Sequence, residues 1–272
     1  MISQIHVYLI KTISDTLGGV SPLQLLAMTS LDTYHKVIQV ARCTSTSEYA
    51  PVMFTHSVCI EPFGQRYCPE HRSNVSMPKD IYSSFTELLA KEVEGVDYRI
   101  ELLDRGSENL IMAPHGGRIE RGTSEIARSI ASKHLSLYLF EGIRPGLEHH
   151  ELHVTSHKYD EPQALWAVSK SMRVLAIHGR ADRRDTQTIW IGGRDTSAHE
   201  VLLSRLQSAG FKCQIQSKSL AGKHSNNICN RGISARGVQL EIPRSLRDEL
   251  LENDDQLRNL STELRESMLE LT

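Results

Sequence analysis

Four residues of this 272-residue chain, His115, Glu120, His178 and Glu241, have the types that a single reaction needs. Two histidines and a glutamate are the usual protein ligands of a hydrolytic zinc that keeps its fourth position for water. A further glutamate, off the metal, then takes the water's proton. His115 and Glu120 flank the Gly-Gly of APHGGRIERGTSEIA, His178 follows the apolar run VLAI, and Glu241 interrupts VQLEI. A single histidine after a strand is ordinarily a loop or cap residue, and a Gly-Gly pair ordinarily only a turn. The set carries the argument, and Glu241 carries most of it, because a carboxylate in a buried strand is costly unless paired or functional.

These residues need elements that bring them to one place. Open α/β sheets bind ligands beyond the carboxyl ends of their strands, so each position is expected at or just after such an end. Periodicity predicts helices over 83–93, 123–133 and 196–209, and strands over 98–103, 110–113, 135–140, 152–155, 174–177, 188–191, 211–215 and 238–242. Charged helical sequence closes the chain. Strands alternating with helices give a mixed, mostly parallel sheet flanked by helices on both faces.

Composition bounds the rest. With 31 Lys and Arg against 33 Asp and Glu, net charge −2, the chain has no global basic field for nucleic acid. No apolar run is long enough for a membrane span. Five scattered cysteines, and an amino terminus without a basic region or small-residue cleavage site, lead us to expect a cytoplasmic protein. Residues 1–76 hold 10 charges and residues 77–272 hold 54. The first segment is therefore expected to be a poorly defined amino-terminal extension, disordered or an artefact of start-site choice, and residues 77–272 the α/β domain. Cys59, Cys68 and His71 have a metal-like spacing but lack the second tight pair of a zinc finger.

The motifs APHGGRIERGTSEIA, YLFEGIRP, LHVTSHKYDEP, AIHGR, IGGRD, NICNRG and GVQLEIPRSLR occur in this order. Over about residues 82–247 the chain resembles the poly-γ-glutamate hydrolase family, zinc-dependent phage and bacterial proteins often described as phage-related replication proteins. The resemblance implies a zinc carboxypeptidase-like and amidase-like fold, a Zn2+ cofactor, His115, Glu120 and His178 as its ligands, and Glu241 as the catalytic glutamate. His153, in LHVTS, also lies in a recurring motif and is the alternative third ligand. We prefer His178 because it is expected just beyond a strand and His153 inside one, from which it would line the pocket or orient a ligand. Arg118 and Arg121 depart from the small residue and the proline typical of the family, adding positive charge at the mouth.

The expected reaction is hydrolysis of an amide in an acidic polymer or peptide-like substrate, foremost the γ-glutamyl bonds of poly-γ-glutamate. Arg144, Arg194 and Arg231, each in a Gly-containing motif, are candidates to support an oxyanion or grip a substrate carboxylate. Asn227 and Asn230 are candidates to orient substrate or shape a turn. Cys229 lacks a well-placed base other than His224 and is not expected to act as a nucleophile. Asp160 and Glu161 are expected in a solvated turn, and Glu125 as a helix cap or a partner behind the ligands. The alternatives are a peptidase, deacylase or cell-wall amidase using the same site, and a non-catalytic replication-associated protein.

Overall fold

The computed structural model describes residues 80–271 apart from residues 149 and 219. The expectations for residues 1–76, the Cys59, Cys68 and His71 set included, lie outside the described residues.

The described chain runs α1 (Phe85–Leu89), β1 (Tyr98–Leu103), β2 (Asn109–Gly117), α2 (Thr123–Ala131), β3 (Ser136–Gly142), α3 (Pro162–Lys170), β4 (Arg173–Arg180), β5 (Ile189–Gly193), α4 (Thr196–Ser208), β6 (Cys213–Ile215), β7 (Val238–Pro243), α5 (Arg244–Glu252) and α6 (Asp254–Glu270). The seven strands form one sheet in the order β1-β3-β2-β4-β7-β5-β6. Pairing is parallel from β3 through β2 and β4 to β7, and again between β5 and β6; β1 on β3 and β5 on β7 are antiparallel. The mixed, mostly parallel sheet is thus the one expected from the alternation of elements.

Side-chain alternation divides the core in two. Ile111 and Ala113 of β2 point to one face, where they meet Leu139, Ile177, Leu240 and the apolar stripes of α2, α4, α5 and α6. Leu110 and Met112 point to the other, toward Tyr138, Phe140, Phe85 of α1 and Val168 of α3. The central strands are buried on both sides, which is why they read as continuous apolar runs. Caps fix the helix starts: Ser84, Glu161, Asp195 and Asn253 each accept a backbone N–H of the helix that follows. No helix among the described residues is long and apolar enough to cross a membrane.

Four local expectations are corrected. Residues 152–155 form no strand, although Leu152 and Val154 are buried. The edge of β3 is already taken by β1, and the segment's polar groups are claimed by side chains: Asp80 accepts the Thr155 N–H at 2.9 Å and Val154 O accepts from His115. Helix α1 is shorter than expected because the Asp97 carboxylate captures the Val93 N–H at 2.9 Å and draws the chain into a turn. Asp160 and Glu161 are not a solvated turn. Asp160 accepts the Phe85 N–H and the Thr86 hydroxyl at the start of α1, and buried Glu161 accepts the N–H groups of Gln163 and Ala164 in α3. Glu125 in the first turn of α2 is exposed, and it caps nothing: Gly122 occupies the cap position without a side-chain hydrogen bond.

Candidate metal centre and active site

The site is built at the carboxyl ends of β2, β4 and β7. Between Ala113 and Gly116 the register of β2 against β3 shifts, with three steps along β2 matching two along β3. Pro114, which has no N–H to offer a ladder, lies in that bulge beside His115. The bulge re-aims the imidazole away from the regular strand alternation. His178 lies within β4, two residues before its end, and not just beyond it as expected; its register partner on the neighbouring parallel strand is Glu241.

His115, Glu120 and His178 converge, with one ligand-type atom of each lying within 4.8 Å of the others, and all three side chains are buried. The Nδ1 atoms of His115 and His178 are 3.1 Å apart. Glu120 Oε1 is 3.4 Å from His115 Nδ1, and Oε2 is 3.8 Å from His178 Nδ1. His115 Nε2 donates to Val154 O at 2.9 Å, which fixes the tautomer and turns the Nδ1 lone pair inward. The glutamate is held by the main chain: Glu120 N–H donates to His115 O at 2.9 Å, and Gly179 N–H donates to Glu120 Oε2 at 2.7 Å. Burial opposes charge on Glu120, but His115 and then His178 outweigh it and hold the carboxyl below the ordinary range. Burial, reinforced by His115, pushes His178 down to about 3, so this imidazole is neutral at pH 7. Its Nε2 has no hydrogen-bond partner. Imidazole nitrogens and a carboxylate facing one another, buried side by side, are a donor set suited to a cation.

His153 stands over this group. Its ring centroid is 4.0 Å from that of His115, and its Nδ1 is turned to Asp80 Oδ1 at 2.6 Å. Asp80 also accepts from the Thr155 N–H and hydroxyl.

Glu241 is buried across from Trp190 of β5. Burial, and next the charge of Glu120, raises its pKa well above the ordinary carboxylate value. Gln239, two residues earlier on the same face of β7, donates from Nε2 to Glu241 Oε1 at 2.9 Å and to Leu220 O at 3.0 Å. Its own Oε1 accepts from Asn227 Nδ2 at 2.8 Å. Asn227 therefore sets the orientation of the Gln239 amide, which in turn holds one oxygen of Glu241.

The convergent group opens on a cleft of about 1420 Å³ lined by Arg118, Arg121, Arg180, Arg183, Arg244 and Arg247. Asn227 lines it as well; Arg144, Arg194, Arg231 and Asn230 do not. The Arg144 guanidinium pairs with Glu92, Asp97 and Glu151. Arg231 donates to Tyr159 O at 3.1 Å, and the exposed Arg194 gives its backbone N–H to Asn230 Oδ1. Asn230, buried, ties Gly222 O and His224 O to Arg194 and Gly237. Burial pushes the Cys229 thiol up to about 12, which makes it inert as a nucleophile.

Sequence reasoning missed Gln239, although its place two residues before Glu241 in a strand puts both on one face. It also missed Asp80, which lies before the first motif and 73 residues from His153.

The model of the poly-gamma-glutamate hydrolase family matches residues 82–270, most of the chain. The chain belongs to the poly-gamma-glutamate hydrolase family. Among similar proteins, the SPbeta prophage-derived protein YoqZ of Bacillus subtilis is 42% identical over 180 residues, 65% of this chain. The chain spans 64% of the length of YoqZ. YndL of the same organism is 37% identical over 174 residues, 63% of this chain and 67% of YndL. Two solved structures of similar proteins share the fold. A bacteriophage poly-gamma-glutamate hydrolase matches with a TM-score of 0.67 at 29% identity, over 71% of this chain and 98% of its own. A zinc-free apo form of YndL matches with a TM-score of 0.62 at 34% identity, over 71% of this chain and 96% of its own.

Proposed function

We propose that this member of the poly-gamma-glutamate hydrolase family is a zinc-dependent amide hydrolase that cleaves the γ-glutamyl bonds of poly-γ-glutamate. The observation that carries the reading is the buried convergence of His115, Glu120 and His178 beside Glu241. The zinc-free description of the similar YndL structure supports zinc as the cation.

His115 and His178 would hold the ion through Nδ1 and Glu120 through its carboxylate, while Val154 O and the Gly179 N–H keep two of these ligands in place. A zinc ion there supplies Lewis acidity to the scissile carbonyl and acidity to the attacking water. Glu241 accepts the water's proton and delivers it to the leaving nitrogen, with Gln239 fixing one carboxylate oxygen so that the other faces the reacting atoms. The exposed arginines of the cleft, Arg118, Arg121, Arg183 and Arg244, attract the carboxylates of a glutamate polymer and orient them. A purely structural or replication-associated role leaves the buried Glu241 and the buried group of His115, Glu120 and His178 without any return for their desolvation.

Incubating the zinc-loaded protein with poly-γ-glutamate and following chain length tests the reading. Shortening of the polymer supports it. An intact polymer, with cleavage of a peptide, an acylated amine or a cell-wall amide instead, replaces the substrate and keeps the chemistry.

A further inference from the structure

Arg247 lies one turn into α5, and helix side chains lean toward the helix start, so it reaches back to the end of β7. Its guanidinium is buried among three backbone segments. Nε donates to Ile242 O at 3.1 Å, Nη1 donates to Arg121 O, and the flat face lies against Gly179, where an added Cβ would come within 2.7 Å of both Nη atoms. Each of these contacts falls on the residue that directly follows a member of the site: Ile242 follows Glu241, Arg121 follows Glu120, and Gly179 follows His178. Gly179 is also the donor to Glu120 Oε2.

We infer that Arg247 is the positioning residue that sets the β4 end, the β7 end and the Glu120 loop at fixed separations, and so aligns the metal ligands with the catalytic glutamate. This rests on the proposed reading of the site. A guanidinium suits the task because its planar fork donates in two directions at once and stays charged when buried. An ammonium presents one point and cannot span both carbonyls. Gly179 has no side chain because the guanidinium takes that space.

The test uses Arg247→Lys and Gly179→Ala in the full chain. Both are expected to lower zinc affinity about 10- to 100-fold, as loss of groups behind metal ligands typically does, and to lower kcat while KM stays within about twofold, since Arg247 does not hold substrate. The two effects are expected to be strongly non-additive in the double variant, because each removes the same contact. In the metal-free protein, hydrogen exchange at the Gly179 amide is expected to be slow in the wild type and fast in Arg247→Lys. Folded variants with unchanged zinc affinity and unchanged Gly179 exchange would overturn the inference, as would a raised KM at constant kcat, which would make Arg247 a substrate-binding group. A wild-type protein that takes up no zinc would sink the reading of the site, while the exchange measurement would still decide the role of Arg247.

Discussion

Gln239 Nε2 and Glu241 Oε1 are 2.9 Å apart, joined across two positions of the same strand, so the proposed base is oriented by its own backbone neighbour. Replacing Gln239 with leucine keeps the volume and removes the donor. A hydrogen bond to a charged group contributes about 1.5–3 kcal/mol, so kcat is expected to fall roughly 10- to 100-fold with KM little changed. Steady-state kinetics on the polymer check this; a rise in KM at constant kcat would place Gln239 in substrate binding.

Zinc content separates the histidines. His178→Ala is expected to lose the metal, because it removes one of three converging donors. His153→Ala is expected to retain it, since His153 is not among the three converging donors and its Nδ1 is turned to Asp80. Metal analysis of the two purified variants decides between them, and full occupancy in His178→Ala would reverse the assignment.

Gly117→Ala is expected to be destabilising by about 2 kcal/mol or more, from backbone strain and overpacking together. Gly117 has φ +63°, and an added Cβ would overlap the carbonyl of Gly142 on β3. Urea unfolding of the variant measures the loss. A cost within about 0.5 kcal/mol, typical of neutral surface changes, would show that the β2 bulge tolerates a side chain.

Glu141 gives the protein an acid-sensitive component. Burial raises the carboxyl's pKa, but hydrogen bonds from Arg128 and Arg99 outweigh it, so the folded value lies below the reference 4.5. A depressed carboxylate contributes stability that is present above the unfolded pKa and is lost as pH falls through the folded one. Glu141→Gln is expected to cost about 1–3 kcal/mol at pH 7, toward the lower end because Arg99 and Arg128 are partly exposed. The gap to wild type should narrow as pH falls below the reference 4.5 toward the lower folded value. Denaturant midpoints across that range measure it, and a gap independent of pH would remove Glu141 from the account.

The fold was legible where pattern and burial agree. The apolar runs of β2, β3, β4 and β7 are long, and strands buried on both faces admit few other readings. The segment around His153 misled because Leu152 and Val154 alternate like a strand, yet alternation records only which side chains are buried, not whether a sheet edge is free to pair. The candidate ligands were legible because His and Glu at strand ends are chemically expensive to bury. The arginines were harder to place. Arg144, Arg194 and Arg231 share glycine-containing loops with many turn arginines, whereas Arg180 and Arg247 line the cleft by virtue of a strand end and a helix turn that only the assembled sheet brings together.

His115 and His178 sit on β2 and β4, inner strands that pair with each other, and Glu120 sits on the connection into α2. Opening the two inner strands requires disrupting the whole sheet, whereas a connecting loop opens locally at much lower free energy. The two imidazoles therefore form the jaw that yields last, and the carboxylate the one that opens first once the contacts of Arg247 and the Gly179 N–H let go. Exchange of an ion with solvent would proceed by release of Glu120 long before the molecule unfolds.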